Sequence, residues 1–313
     1  MRGTRCYTNF MKFFPDDNGG LIPFETQRRY LPLPKQRIWE LDFLRAVCVF
    51  LMVLDHLSMM IDMFAPSWYG RITWYDLGMG NAITRFCHEW VGSENWRVAH
   101  CIVLIVFMGI SGMSCTFSRS NRKRGALLMA VSCAYSLVTF FDEYVLGITG
   151  SFVTFGVTHF LATAILLYAL VDFFCKRDKR SVAICSVGIM GISLLLYFCY
   201  TPPANTPKIF FFLFPPRNYL GEPSLFYSQS EMSPGDLFTV FQYLPYFFWG
   251  AAVAPFIYND RRSLLPKLDG KWNKPFCFIG RHALIVFILH LPIMLGLLSL
   301  ISYIFITPGS WGF

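Results

Sequence analysis

The chain has 313 residues, of which 55% are apolar, 18% aromatic and only 15% charged. A soluble domain carries about 25% charged residues, so this composition excludes an ordinary soluble enzyme and points to an integral membrane protein built as one helical bundle. The formal net charge of +8 does not mark a nucleic-acid binder, because the positive residues sit between apolar spans, where membrane topology accounts for them.

Residues 1–36 read as a polar, basic tail with several Pro and Gly residues. It lacks the apolar core of a signal peptide and is expected to be a poorly ordered cytoplasmic segment. Residues 37–306 read as the membrane domain and 307–313 as a short tail. Seven apolar spans are predicted, roughly 39–62, 98–117, 125–141, 155–174, 181–200, 236–258 and 277–306, each near the ~20 residues that cross a bilayer. Basic residues alternate strictly between the connections. One side collects 20 of them, from the N-terminal tail and the loops after spans two, four and six, and the other side 5. The positive-inside rule then places the N-terminus in the cytoplasm and the C-terminus outside. The predicted fold class is therefore an all-α polytopic membrane bundle.

The first span is unusual. It opens with Arg37, Glu40, Asp42 and Arg45 and carries the pair Asp55-His56 where a plain anchor would continue with apolar residues. Asp42, Arg45 and His56 fall on one stripe of the helix surface, with Arg45 and His56 roughly 16 Å apart along the axis. Ionisable groups in a bilayer cost a few kcal/mol each and face a protein interior or a wet cavity. Asp55 and His56 diverge by about 100°, so one of them is expected to bond to another helix.

The remaining polar residues sort into two layers. The cytoplasmic layer adds Arg119, Arg122, Lys123 and Arg124 between spans two and three, and Arg281 and His282 at the start of span seven. Arginines at helix ends suit a phosphate-rich ligand, since guanidinium binds phosphate bidentately; contact with anionic lipid is the plain alternative. The outer layer holds Asp55, His56, His159, Asp236 and His290, with Asp142 and Glu143 closing span three. Histidine moves protons near neutral pH, although it can also be interhelical hydrogen-bond glue. The spacing of the histidines does not favour a metal site. Pro292 lies two residues after His290 and frees a backbone carbonyl in that turn. The outer connections 63–97 and 201–235 are long and aromatic. Trp68 and Trp90 are candidates for stacking on a sugar, with the interfacial aromatic belt as the alternative. Most of the ten cysteines lie in or at the ends of spans and read as small hydrophobes; Cys87 is the one placed well inside an outer loop.

These stretches, in this order, resemble a known family. Arg37-Ile-Trp-Glu-Leu-Asp-Phe-Leu-Arg45, the Asp55-His56 pair, Gly109-Ile-Ser-Gly112 through Arg124-Gly125, Phe155-Gly-Val-Thr-His159, Phe278-Ile-Gly-Arg-His282 and His290-Leu-Pro292 are similar to the heparan-α-glucosaminide N-acetyltransferase catalytic-domain family of bacterial membrane proteins. The resemblance spans about residues 37–305. It implies a multi-pass acyltransferase of the plasma (inner) membrane that uses cytosolic acetyl-CoA as donor and an extracytoplasmic carbohydrate, a glycan amino sugar, as acceptor, and it leaves a homodimer open. On this reading Arg37, Asp42, Arg45, Arg119, Arg122 and Arg281 face the CoA. His56, Asp55, His290 and His159 are the catalytic candidates, and Asp236, Trp68 and Trp90 face the acceptor. No metal is expected. The sequence departs from the family pattern at Ala46, Ala283, Phe287 and Leu291, where a glycine, a serine, a tyrosine and a polar residue are usual. The competing class is a transporter or lipid-binding protein that uses the same buried charges as a path for protons or ligand. A related acyltransferase type with a hydroxyl acceptor is narrower still.

Overall fold

The computed structural model describes residues 38–68, 82–118, 120–147, 151–176, 178–199, 212–214, 236–258 and 262–305. The helices are α1 (Trp39–Trp68), α2 (Ala82–Val91), α3 (Glu94–Thr116), α4 (Asn121–Tyr144), α5 (Val157–Phe174), α6 (Lys179–Cys199), α7 (Val240–Ile257), α8 (Lys274–Arg281) and α9 (Ala283–Phe305). Seven of them are long and apolar enough to cross a membrane, namely α1, α3, α4, α5, α6, α7 and α9. All seven predicted spans are therefore present. In hydrocarbon each backbone N–H and C=O must be satisfied within its own segment, which a helix achieves. The tail before residue 38 and the tail after 305 lie outside the described residues.

The fold differs from the expectation at two connections. The stretch 63–97 contains the ten-residue helix α2, joined to α1 by His88 Nδ1 and Asp62 Oδ1 at 2.8 Å. Its Ile83, Phe86 and Trp90 recur at helical spacing. The predicted last span is broken at His282, whose backbone leaves the helical region and whose N–H closes α8 onto Ile279 O (3.0 Å). A new helix then starts on the His282 carbonyl, which accepts from Ile285 and Val286. The basic, amphipathic α8 thus stays separate from the apolar α9.

Packing has two levels. The inner one is α3 and α7, with α5 and α6 against α7 and α4 against α5. Met108, Phe160, Phe247, Phe248 and Ala251 are fully enclosed there. α3 and α7 cross at glycines. A Cβ on Gly112 would sit 1.9 Å from the Phe247 carbonyl oxygen, and one on Gly250 2.0 Å from that of Gly109. Without a hydrophobic drive between helices in lipid, such close backbone approach supplies the van der Waals contact that holds them. The outer level is α1, which lies on α3 and carries α2, α8 and α9. Here Gly280 of α8 touches the backbone of Asp42 closely enough that a Cβ would fall 1.8 Å from its carbonyl oxygen. The outward faces expose Phe50, Leu127, Leu137, Phe174, Ile184 and Leu195, as lipid contact requires.

The crossing makes a direct prediction. Gly250→Val is expected to lower the melting temperature in detergent markedly. The new atoms meet backbone that cannot rotate away, and overpacking costs about 1–3 kcal/mol even where side chains can adjust. Gly188→Ala, where a Cβ meets nothing within 4 Å, is the matched control and should melt as the wild type does.

Candidate active site

Two polar layers lie at different heights on α1. At its N-terminal end, Arg45 Nη1 pairs with Asp42 Oδ1 at 3.0 Å and donates to the Gly280 carbonyl at 3.3 Å, while Nη2 donates to Ser114 Oγ. One guanidinium therefore ties α1, α3 and α8 together. Glu40, buried beside it, accepts from Ser263 Oγ and from the Leu265 N–H (2.8 Å). Asn121 opens α4 and donates through Nδ2 to the Cys115 carbonyl at 2.8 Å. Three buried polar atoms in this layer have no hydrogen-bond partner among the described residues: Trp39 Nε1, Glu40 Oε2 and Asn121 Oδ1. Arg122, Lys123 and Arg124 form the exposed first turn of α4. Arg281 is also exposed, and its Nε donates to the Cys277 carbonyl at 2.8 Å. Arg37 and Arg119 lie outside the described residues. Of the predicted phosphate ligands, then, Arg45 spends its terminal nitrogens on the protein, whereas Arg122 and Arg281 face outward.

The second layer is built from α1, α3 and α9. His56 Nδ1 and His290 Nε2 are 3.1 Å apart, and His290 Nδ1 bonds to the Phe287 carbonyl at 2.6 Å. A carbonyl can only accept, so His290 carries its proton on Nδ1 and presents a lone pair at Nε2. His56 then donates through Nδ1 and also reaches the Met52 carbonyl; with its one proton on Nδ1, the neutral ring keeps Nε2 as a lone pair. Two positive charges 3.1 Å apart are unfavourable, so the pair holds at most one additional proton. Pro292 has no N–H for the Ile288 carbonyl, which loosens the turn that supports His290.

Asp55, one residue before His56, faces α3. Its Oδ1 accepts from Trp96 Nε1, and its Oδ2 is 2.9 Å from His100 Nδ1. The expectation that one member of the Asp55-His56 pair would bond to another helix thus holds for both, each on a different partner helix. His100 was missed in the sequence. Its signal was its i, i+4 relation to Trp96, which puts both on one face of α3.

His159 and Trp90 have no hydrogen bond to this group among the described residues, whereas Asp236 lies within electrostatic reach of His100. His159 lies in the first turn of α5, with Nε2 3.2 Å from Ser136 Oγ. Ser136 donates its own proton to the Val153 carbonyl at 2.6 Å, so His159 donates through Nε2, and its buried Nδ1 has no hydrogen-bond partner among the described residues. Asp236 accepts from the Val157 N–H at 3.2 Å and so caps α5 from another segment. Burial pushes the Asp236 carboxyl up to about 7, against the backbone N–H groups of Val157 and Leu237 and the neighbouring His100, which favour its charged form. Trp90 stacks on Phe86 at 6.4 Å within α2. Trp68 ends α1, and its side chain is outside the described set.

A family profile described as heparan-alpha-glucosaminide N-acetyltransferase, catalytic, matches residues 37–292. The chain belongs to this family. No curated protein and no solved structure matches the chain. As a member of the heparan-alpha-glucosaminide N-acetyltransferase family with seven membrane-capable helices, it is a multi-pass membrane acetyltransferase. The matched region begins just before the Asp42–Arg45 layer and ends just after His290, so both layers fall within it.

Proposed function

We propose that this protein moves an acetyl group from acetyl-CoA, bound at the Arg45 end of the bundle, to an amine or hydroxyl of a carbohydrate that enters from the opposite end. The observation that carries this reading is the His56–His290 pair, whose His56 stands on the same helix as Arg45, roughly 16 Å along its axis, and whose His290 comes from α9. The exposed Arg122 and Arg281 offer charge for the CoA phosphates, and Arg45 holds α8, with Arg281, against α1. His56 Nε2, with its lone pair available, takes the proton of the acceptor as that group attacks the thioester carbonyl. The electron pair of the broken C–S bond leaves with sulfur. The basic-residue count supports placing the Arg45 end in the cytoplasm of a plasma-membrane protein.

The test is equilibrium binding of acetyl-CoA to the purified protein, followed in the same sample by release of free CoA with and without glucosamine as a probe. Saturable binding, with release accelerated by the amino sugar, is expected. Absence of binding at millimolar acetyl-CoA would overturn the reading and leave the buried Asp-His groups to be tested as a transport path.

A further inference from the structure

The proposed transfer frees a proton at His56, and the hydrogen bond to His290 passes it no further. That chain of imidazoles ends on the Phe287 carbonyl, which cannot accept a proton. The group next to it can. The Asp55 carboxylate is fixed by two donors, Trp96 Nε1 on one oxygen and His100 Nδ1 at 2.9 Å on the other. The Trp96 ring also lies against the His100 imidazole, with centroids 5.3 Å apart. A carboxylate on Nδ1 fixes the tautomer, leaves Nε2 as the base and stabilises the imidazolium that forms, which is the logic of an aspartate behind a catalytic histidine. His100 Nε2 has no hydrogen-bond partner among the described residues, and the side chain keeps 32% of its surface exposed, six residues from the start of α3.

The groups that face His100 are consistent with proton traffic. Asp55 and His56 approach from α1, and His56 is within electrostatic reach of both Asp55 and His100. Asp236 approaches from the segment ahead of α7 and is within electrostatic reach of His100. On its own helix, Arg97 is paired with Glu94 and so does not set a free cation beside the imidazole.

We propose that His100, held by Asp55, is the proton carrier that connects the reaction centre to the solvent at the far end of the bundle. This rests on the acetyl-transfer reading above. As the acceptor N or O bonds to the thioester carbon, the C–S bond breaks and its electron pair leaves with sulfur. The acceptor's proton goes to His56 Nε2, crosses to His100 Nε2 and is released to water, while the CoA thiolate is protonated from the solvent on its own side. His100 is not required to touch the donor.

The experiment uses the full chain in proteoliposomes, with acetyl-CoA and glucosamine as probes. His100→Gln is expected to bind acetyl-CoA as the wild type does and to turn over on the order of 10²-fold more slowly, the lower end of acid–base contributions. Imidazole added only on the His100 side should restore much of the rate by standing in for the missing ring. Wild-type turnover by the variant, or a slow variant that binds acetyl-CoA and ignores imidazole, would overturn the assignment. If His100→Gln loses acetyl-CoA binding altogether, Asp55→Asn replaces it. Loss of the carboxylate should lower kcat with acetyl-CoA affinity kept, and imidazole on that side should restore part of the rate; a wild-type kcat would overturn the proposal. A wild-type protein that neither binds acetyl-CoA nor releases CoA takes down the acetyl-transfer reading and this role together, whereas an active wild type with an indifferent variant removes the carrier alone.

Discussion

His56→Ala is expected to leave acetyl-CoA binding unchanged and to reduce turnover by about 10²–10⁴-fold, the range that a positioned acid–base group supplies. The binding half of this expectation follows from distance. His56 is eleven residues from Arg45, roughly 16 Å along the helix, so its loss does not disturb the Asp42–Arg45–Gly280 contacts. The kinetic half follows from the tautomers. His290 donates to the Phe287 carbonyl and receives from His56, so it cannot offer an open lone pair until His56 is removed. His56→Ala therefore also exposes His290 Nε2, which could recover part of the rate. The double variant His56→Ala/His290→Ala should then be slower than either single variant. CoA release and acetyl-CoA affinity measured on the same preparations check both halves. Wild-type turnover in His56→Ala would make the pair an interhelical clamp and the proposed mechanism wrong.

Arg45→Ala should act differently, on stability as well as on the donor. Its guanidinium joins three helices through Asp42, Ser114 and Gly280. Removing it leaves the Asp42 carboxylate, less than a fifth exposed, without its partner. Breaking a buried pair in this way costs about 3–5 kcal/mol, and the partial exposure here places the expected loss at the lower end. The melting temperature in detergent should fall, and acetyl-CoA affinity should fall with it as α8 and its Arg281 come away from α1. Arg45→Lys keeps the charge but not the fork of donors, so it should recover only part of either loss. An unchanged melting temperature would show that the three contacts are incidental.

The spans were legible because the bilayer imposes a length and an apolar composition that no tertiary contact can override. The stripe on α1 was legible for the same geometric reason. Arg45 and His56 do face consecutive elements, α8 and α9. What was not legible depended on partners distant in sequence. Nothing local says that Arg45 spends its donors on Ser114 and Gly280, so it reads as a ligand arginine until α3 and α8 are in place. His100 stood at the edge of a span among aromatic residues, and only the Asp55 carboxylate on another helix gives it a chemical meaning. The helix α2 was not legible because Phe86 and Trp90 suit an interfacial belt as well as an amphipathic helix, and ten residues give too short a pattern to separate the two. The break at His282 was not legible because Gly280, Arg281 and His282 also read as the polar start of one long span.

The placement of both layers on α1 has a consequence for how this chain can vary. On the proposed mechanism, donor and proton chemistry are coupled by the angular phase of one rigid rod. A single residue inserted between Arg45 and His56 would lengthen that rod by only about 1.5 Å but would swing the imidazole about 100° away from α9. Seven inserted residues would nearly restore the phase, yet would lift His56 about 10 Å from its level. The nine-residue interval from Ala46 to Leu54 is thus intolerant of insertion or deletion although its side chains are ordinary apolar ones. Substitutions there are expected to be mild, while changes of length uncouple the two ends.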